Sequence, residues 1–142
     1  MKDTKKILRL AIFNALSGVI SVPVFEEKMP SGNTANMFVL LMNQQETSEE
    51  NNDQCFITKS SIDIEINQKT ETEVSKDDVD DLYQEIMEIL LPDTQSVGLT
   101  IPIGFQFQNA FRESCVTQTV VLSETETVII ERFKLVFTIT QK

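Results

Sequence analysis

Residues 62–92 read IDIEINQKTETEVSKDDVDDLYQEIMEILLP, and they decide the fold class. Ile62, Ile64 and Ile66 alternate with Asp63 and Glu65. In an extended chain successive side chains point to opposite faces, so this predicts a strand with one apolar and one wet face. Ser75-Lys76-Asp77-Asp78 then opens a helix. A Ser75 hydroxyl can accept a free amide there, and early carboxylates suit the positive end of the helix dipole. Val79, Leu82, Tyr83, Ile86, Ile89 and Leu90 form one apolar stripe, and Pro92 stops the helix. A half-greasy strand beside a half-greasy helix predicts a sheet covered by helices.

The flanks fit that plan. Upstream, Ile7, Leu8, Ala11, Ile12, Ala15 and Leu16 recur at helical spacing, with Thr4 or Asp3 as a cap and Gly18 at the end. Val19 to Phe25 is β-branched but holds Pro23, which lacks a ladder donor, so it reads as an edge or irregular strand. Residues 26–33 are turn-rich. Met37 to Met42 is an apolar run suited to a strand buried on both faces, whereas Gln44 to Gln54 reads as an exposed acidic loop. Downstream, Phe105 to Phe111, Val116 to Leu122 and Val128 to Thr140 read as three strands, the last two joined by a polar turn at Ser123–Thr127. Arg112 and Glu113 break the alternation and mark a bulge, a bend or a subunit contact. The expectation is a single α+β domain over residues 1–142. It consists of a small, antiparallel-rich mixed sheet packed by two main amphipathic helices.

Composition narrows the function. The chain has 142 residues, 41% hydrophobic and 24% charged, with a formal net charge of −10. That balance argues against wrapping a phosphate backbone or docking on anionic lipid, both of which need clustered Lys and Arg. The charge is uneven. Lys2, Lys5, Lys6 and Arg9 face only Asp3 near the start, whereas Asp77, Asp78, Asp80, Asp81, Glu85 and Glu88 face only Lys76 later on. Lys5 to Val24 superficially resembles a signal peptide, but Asn14, Ser17 and Gly18 interrupt its apolar run and no Ala-x-Ala site follows. No apolar run approaches the ~20 residues of a membrane span.

There is no histidine, so Ser–His–Asp and Cys–His arrangements are impossible within one chain, and most zinc sites lose their usual ligands. No Gly-rich phosphate cradle is present. The carboxylates of the second helix suit a dipole and solubility better than a cation site, and Glu49, Glu50 and Asp53 lack the spacing of a calcium loop. Cys55 and Cys115 have no CxxC partner. Reduced, buried thiols are the preferred reading and a disulfide the alternative. No catalytic residue, metal site or cofactor is expected.

The order of these parts resembles the tail-completion or tail-terminator family of tailed bacteriophages. The matching residues are the helix Ile7–Leu16, Val22-Pro23-Val24-Phe25, and Met29-Pro30-Ser31-Gly32 before Phe38-Val39-Leu40-Leu41. Thr58-Lys59 before Ile62–Ile66, the helix Asp77–Leu91 and the end Phe133–Ile139 complete the pattern. The resemblance implies a structural virion protein at the head–tail junction, made in the host bacterial cytoplasm. It implies a homo-oligomeric ring, six-fold or twelve-fold, contacting portal, neck and tail proteins. DNA would pass nearby without specific binding, and no membrane would be involved. The long acidic loop and long last strand depart from the family pattern and leave the ring type open.

On this reading the contact positions are Glu46, Glu49, Glu50, Asp53, Arg112, Glu113, Glu124 and Glu126. A dense negative charge at 46–53 and 76–88 would let DNA slide through a lumen without sticking. Two rival readings come from other classes. One is a non-enzymatic binding module gripping a host or phage protein. The other is an enzyme using the acidic cluster Asp77, Asp78, Asp80 and Asp81.

Overall fold

The computed structural model describes residues 4–28, 31–32, 35–48, 56–70, 76–93 and 97–141. Helix α1 spans Thr4–Leu16 and helix α2 spans Asp77–Leu90. The strands are β1 (Val24–Glu26), β2 (Met37–Ser48), β3 (Phe56–Thr70), β4 (Phe105–Val121) and β5 (Thr127–Gln141). They form one five-stranded sheet in the order β1-β2-β3-β5-β4. Only the β1–β2 pair is parallel. The fold is α+β with a mixed, mostly antiparallel sheet, as the alternation and the two apolar stripes predict.

The core forms where three periodicities meet. Ile62, Ile64 and Ile66 of β3 are fully buried beside Val39 and Leu41 of β2 and Phe133, Leu135, Phe137 and Ile139 of β5. Leu8, Ile12 and Leu16 of α1 and Val79, Leu82, Ile86 and Leu90 of α2 close over them in the same cluster. A 14-residue helix is marginal alone in water. Burying each of the four α2 side chains contributes roughly 1.5–3 kcal/mol, which offsets the cost of ordering the helix. Tyr83 adds an edge-to-face contact with Phe133, ring centroids 4.9 Å apart.

Local signals behave as expected at several ends. Gly18 has a φ of 80°, and the amides of Val19 and Ile20 both return to the Leu16 carbonyl, a left-handed helix stop. Pro23 lies just before β1, where it donates nothing but its carbonyl accepts from the Val39 amide at 3.0 Å. Capping differs from expectation. Thr4 starts α1, yet its buried hydroxyl has no hydrogen-bond partner among the described residues. Lys76 occupies the cap position of α2 without a side-chain cap, and Asp3 and Ser75 lie outside the described residues.

Three expectations are corrected. The stretch read as a loop from Gln44 is strand through Ser48. A bulge between Met42 and Gln45, with Asn43 at a φ of 52°, lets β2 resume its ladder along the first half of β3, pairing Gln45 with Ser61 and Ser48 with Thr58. The segments 105–111 and 116–122 are one strand, because the Arg112–Glu113 interruption is a bulge that the β4–β5 ladder absorbs. Glu65 lies on the face opposite the helices, as alternation requires, but it is only 6% exposed. Arg132 covers it, donating from Nε at 2.9 Å, while Asn67 donates to its other oxygen at 3.0 Å.

Gly98 follows α2 and packs directly against its end. Its amide donates to the Leu90 carbonyl at 2.8 Å, and a Cβ there would sit 1.9 Å from the Ile89 carbonyl oxygen. Backbone cannot yield as a flexible side chain does. Gly98→Ala should therefore lower the unfolding free energy by about 1–3 kcal/mol. Gly104→Ala meets no atom within 4 Å and should act only through its positive φ. Urea denaturation of the two variants checks the ranking.

Candidate protein-interaction surface

Because both helices cover one face, the sheet presents an open face and two unequal edges. The β1 edge is three residues long and is introduced by Pro23. The β4 edge is seventeen residues long. Its side chains are exposed or half-buried along its whole length, with Phe111, Val116 and Val121 among the exposed large apolar residues of the molecule. Leu122, one residue beyond the strand, joins them. Large exposed apolar groups on a free edge are unusual for a chain that stays alone, since an open ladder is a template for another strand.

The predicted contact positions divide into groups. Arg112 sits at the β4 bulge on the helix side, where it donates to the Tyr83 hydroxyl at 2.5 Å and lies 5.9 Å from the centre of that ring. The phenol contact raises the Arg112 pKa further, so this cation is permanent. Glu113, the extra residue of the bulge, is 3.4 Å from Lys134 on β5. Glu124 is exposed at the hairpin tip, and Glu126 at its far side pairs with Lys69 of β3. The structure thus brings four of the predicted residues onto the β4–β5 hairpin. Glu46 is not with them: it is half-buried on β2 opposite Ser60. Glu49, Glu50 and Asp53 lie outside the described residues, as does Cys55.

Beneath Arg112 is a polar cluster of side chains between α2 and the hairpin. Glu131 is 4% exposed. One of its oxygens accepts from the Cys115 thiol at 3.4 Å and is 3.9 Å from the Lys76 ammonium, while the other has no hydrogen-bond partner among the described residues. Cys115 itself is half-buried, less enclosed than the sequence reading expects. Burial, then donation to Glu131, pushes its thiol above the ordinary pKa despite the nearby Arg112 and Lys76. Lys76 is itself raised, chiefly by its hydrogen bond to Asp80. A thiol held protonated is a poor nucleophile.

A cleft of about 400 Å³ opens between α1 and the β2 bulge, lined by Lys5, Lys6, Arg9, Glu27, Asn43 and Gln44. Several of its polar groups are engaged within the chain. Arg9 donates to Gln44 at 3.1 Å and lies 3.7 Å from Glu26, and Gln44 in turn donates to the Lys5 carbonyl at 2.7 Å. The acidic face of α2 also lacks the features of a metal site: no group of three His, Cys, Asp or Glu side chains among the described residues is placed to hold an ion. The exposed edge at Val116, Val121 and Leu122 escapes a reading based on charged residues. Its signal is the mixed, uncharged run Ser114–Ser123, in which large apolar residues do not keep to one face.

No family model and no curated protein sequence matches the chain. A solved structure does. The chain is similar to one from the virion of a native gene transfer agent particle, with a TM-score of 0.61 and 14% identity, covering 94% of this chain and 96% of that one. At that identity the likeness concerns the fold, and it extends over nearly the whole of both chains.

The thiol environment has a measurable consequence. In a Cys55→Ser variant, Cys115 should react with iodoacetamide at neutral pH several-fold more slowly than the same chain in urea. The raised pKa also means that deprotonation opposes folding. The contribution is intact below the ordinary thiol pKa and is lost as pH rises through the folded value. Equal alkylation rates in folded and unfolded chain would contradict this account of the cluster.

Proposed function

We propose that this chain is a non-enzymatic structural subunit of a phage-like virion. More specifically, it forms a ring at the head–tail junction, as a connector, neck or tail-terminator subunit around the DNA channel. The observation that carries the reading is the fold shared from end to end with a chain of the gene transfer agent virion, 94% of one on 96% of the other. The arrangement of parts agrees. Two unlike flanks, a short edge at β1 and a long one at β4, suit the head-to-tail contacts by which identical copies close into a ring.

The distribution of charge supports a channel role. Asp77, Asp78, Asp80, Asp81, Glu85 and Glu88 are all exposed on the outer side of α2. Turned toward a lumen, this face would repel the duplex and keep it from sticking. Portal-associated proteins on one side and tail proteins on the other are the proposed neighbours. Glu46, Glu49, Glu50, Asp53, Arg112, Glu113, Glu124 and Glu126 remain the proposed contact positions. An assembled ring with α2 on its outer wall would end the lumen idea without touching the structural role.

Deleting the gene in a producing strain should leave filled heads and separate tails that fail to join, and supplying the chain in trans should restore complete particles. Complete, DNA-delivering particles formed without the chain would overturn the proposal. So would its absence from purified particles by mass spectrometry.

A further inference from the structure

The upper half of β4 combines three properties found together nowhere else in the described sheet. From Ser114 to Val121 its register with β5 is unbroken, since both irregularities of the strand lie below Ser114. It is a free edge. It also carries no charge: Ser114-Cys115-Val116-Thr117-Gln118-Thr119-Val120-Val121-Leu122-Ser123 lies in a chain of net charge −10. Edge strands are ordinarily blunted by lysine, proline, bulges or brevity, and this segment has none of them. Val116 is 62%, Val121 70% and Leu122 57% exposed.

We propose that this segment pairs antiparallel with the same segment of a second copy, about a two-fold axis at Gln118, joining two sheets into one of ten strands. Charge and side-chain matching single out a second copy as the occupant. Two chains of net charge −10 repel over most of their surfaces and can approach where charge is absent. Centred on Gln118, the pairing sets Val116 opposite Val120 and Thr117 opposite Thr119 of the other copy, β-branched against β-branched, a favourable cross-strand combination. The charges that border the neutral segment lie outside the pairing: Glu113 is the bulge residue, 3.4 Å from Lys134 of its own chain, and Glu124 is in the turn beyond the strand. The contact is confined to an edge and falls at the small, weak end of protein interfaces.

This pairing is a property of the free chain and is separate from the ring reading, because a cyclic ring repeats unlike contacts whereas this one is two-fold. Three measurements test it. By sedimentation equilibrium the mass should rise toward twice that of the single chain as concentration increases, as expected of a weak edge contact. Gln118→Lys, which opposes two like charges on an exposed position, should stay monomeric with unchanged circular dichroism. In a Cys55→Ser, Cys115→Ser background, Gln118→Cys should oxidise to a covalent dimer and nothing larger. Failure of Gln118→Cys to cross-link, or association of Gln118→Lys equal to that of the parent chain, would overturn the pairing. A six-fold or twelve-fold mass that Gln118→Lys leaves intact would refute the pairing while supporting the ring.

Discussion

The isoleucine row of β3 against two helices is the contact on which the rest of this structure depends. Ile62, Ile64 and Ile66 have no exposed surface, and neither do Leu8, Ile12, Leu16, Ile86 or Leu90 above them. Because all three isoleucines point one way, both helices must lie on one side. A sheet covered on one side only has to solve two further problems: what to do with its other face, and what to do with its edges. The molecule answers them differently.

The open face is closed by its own polar chemistry. Glu65, in the middle of the sheet, would cost several kcal/mol as an isolated buried charge. It is instead bound by Arg132 from the adjacent strand and by Asn67 from its own, so both carboxylate oxygens are engaged. Around it Lys134 pairs with Glu113 and Lys69 with Glu126, and Asn43 donates to Asp63 at 3.1 Å. These pairs are more exposed and individually weak. Together they fill the face with short-range neutral pairs instead of a field of one sign. The strong field of the chain is left to the outer side of α2.

Much of this was legible in the sequence because it follows from periodicity. The alternation at 62–66, the stripe at 79–90, the stop at Gly18 and the edge position of the proline-led segment each depend on one local rule. What periodicity could not show was long-range. Gln44–Ser48 reads as a loop because it has no apolar face, yet it is strand because β3 offers it a ladder and the bulge at Asn43 restores the register. Arg112 and Glu113 read as a break that a bulge, a bend or a subunit contact would each explain, and only the ladder with β5 selects the bulge and shows that one strand continues through it. The contact surface was harder still. Charged residues draw attention in a sequence, and the hairpin indeed gathers Arg112, Glu113, Glu124 and Glu126, but most of these are paired internally. The exposed feature left over is the neutral run between them, which no residue type announces.

The neutral run contrasts with the polar cluster beside it. A catalytic site needs reactive groups converging where water is excluded. Here the groups that converge, Glu131, Cys115, Lys76, Arg112 and Tyr83, are engaged with one another, and the Cys115 thiol is pushed toward its protonated form. An assembling subunit needs surfaces that are unsatisfied alone and satisfied in company. An uncharged strand edge is such a surface: one set of its amides and carbonyls is satisfied by β5, while the outward set has no strand partner among the described residues and can take up a ladder from a neighbour. A high net charge over the remaining surface then works as a filter. It opposes close approach of like chains everywhere except along an uncharged line such as this one.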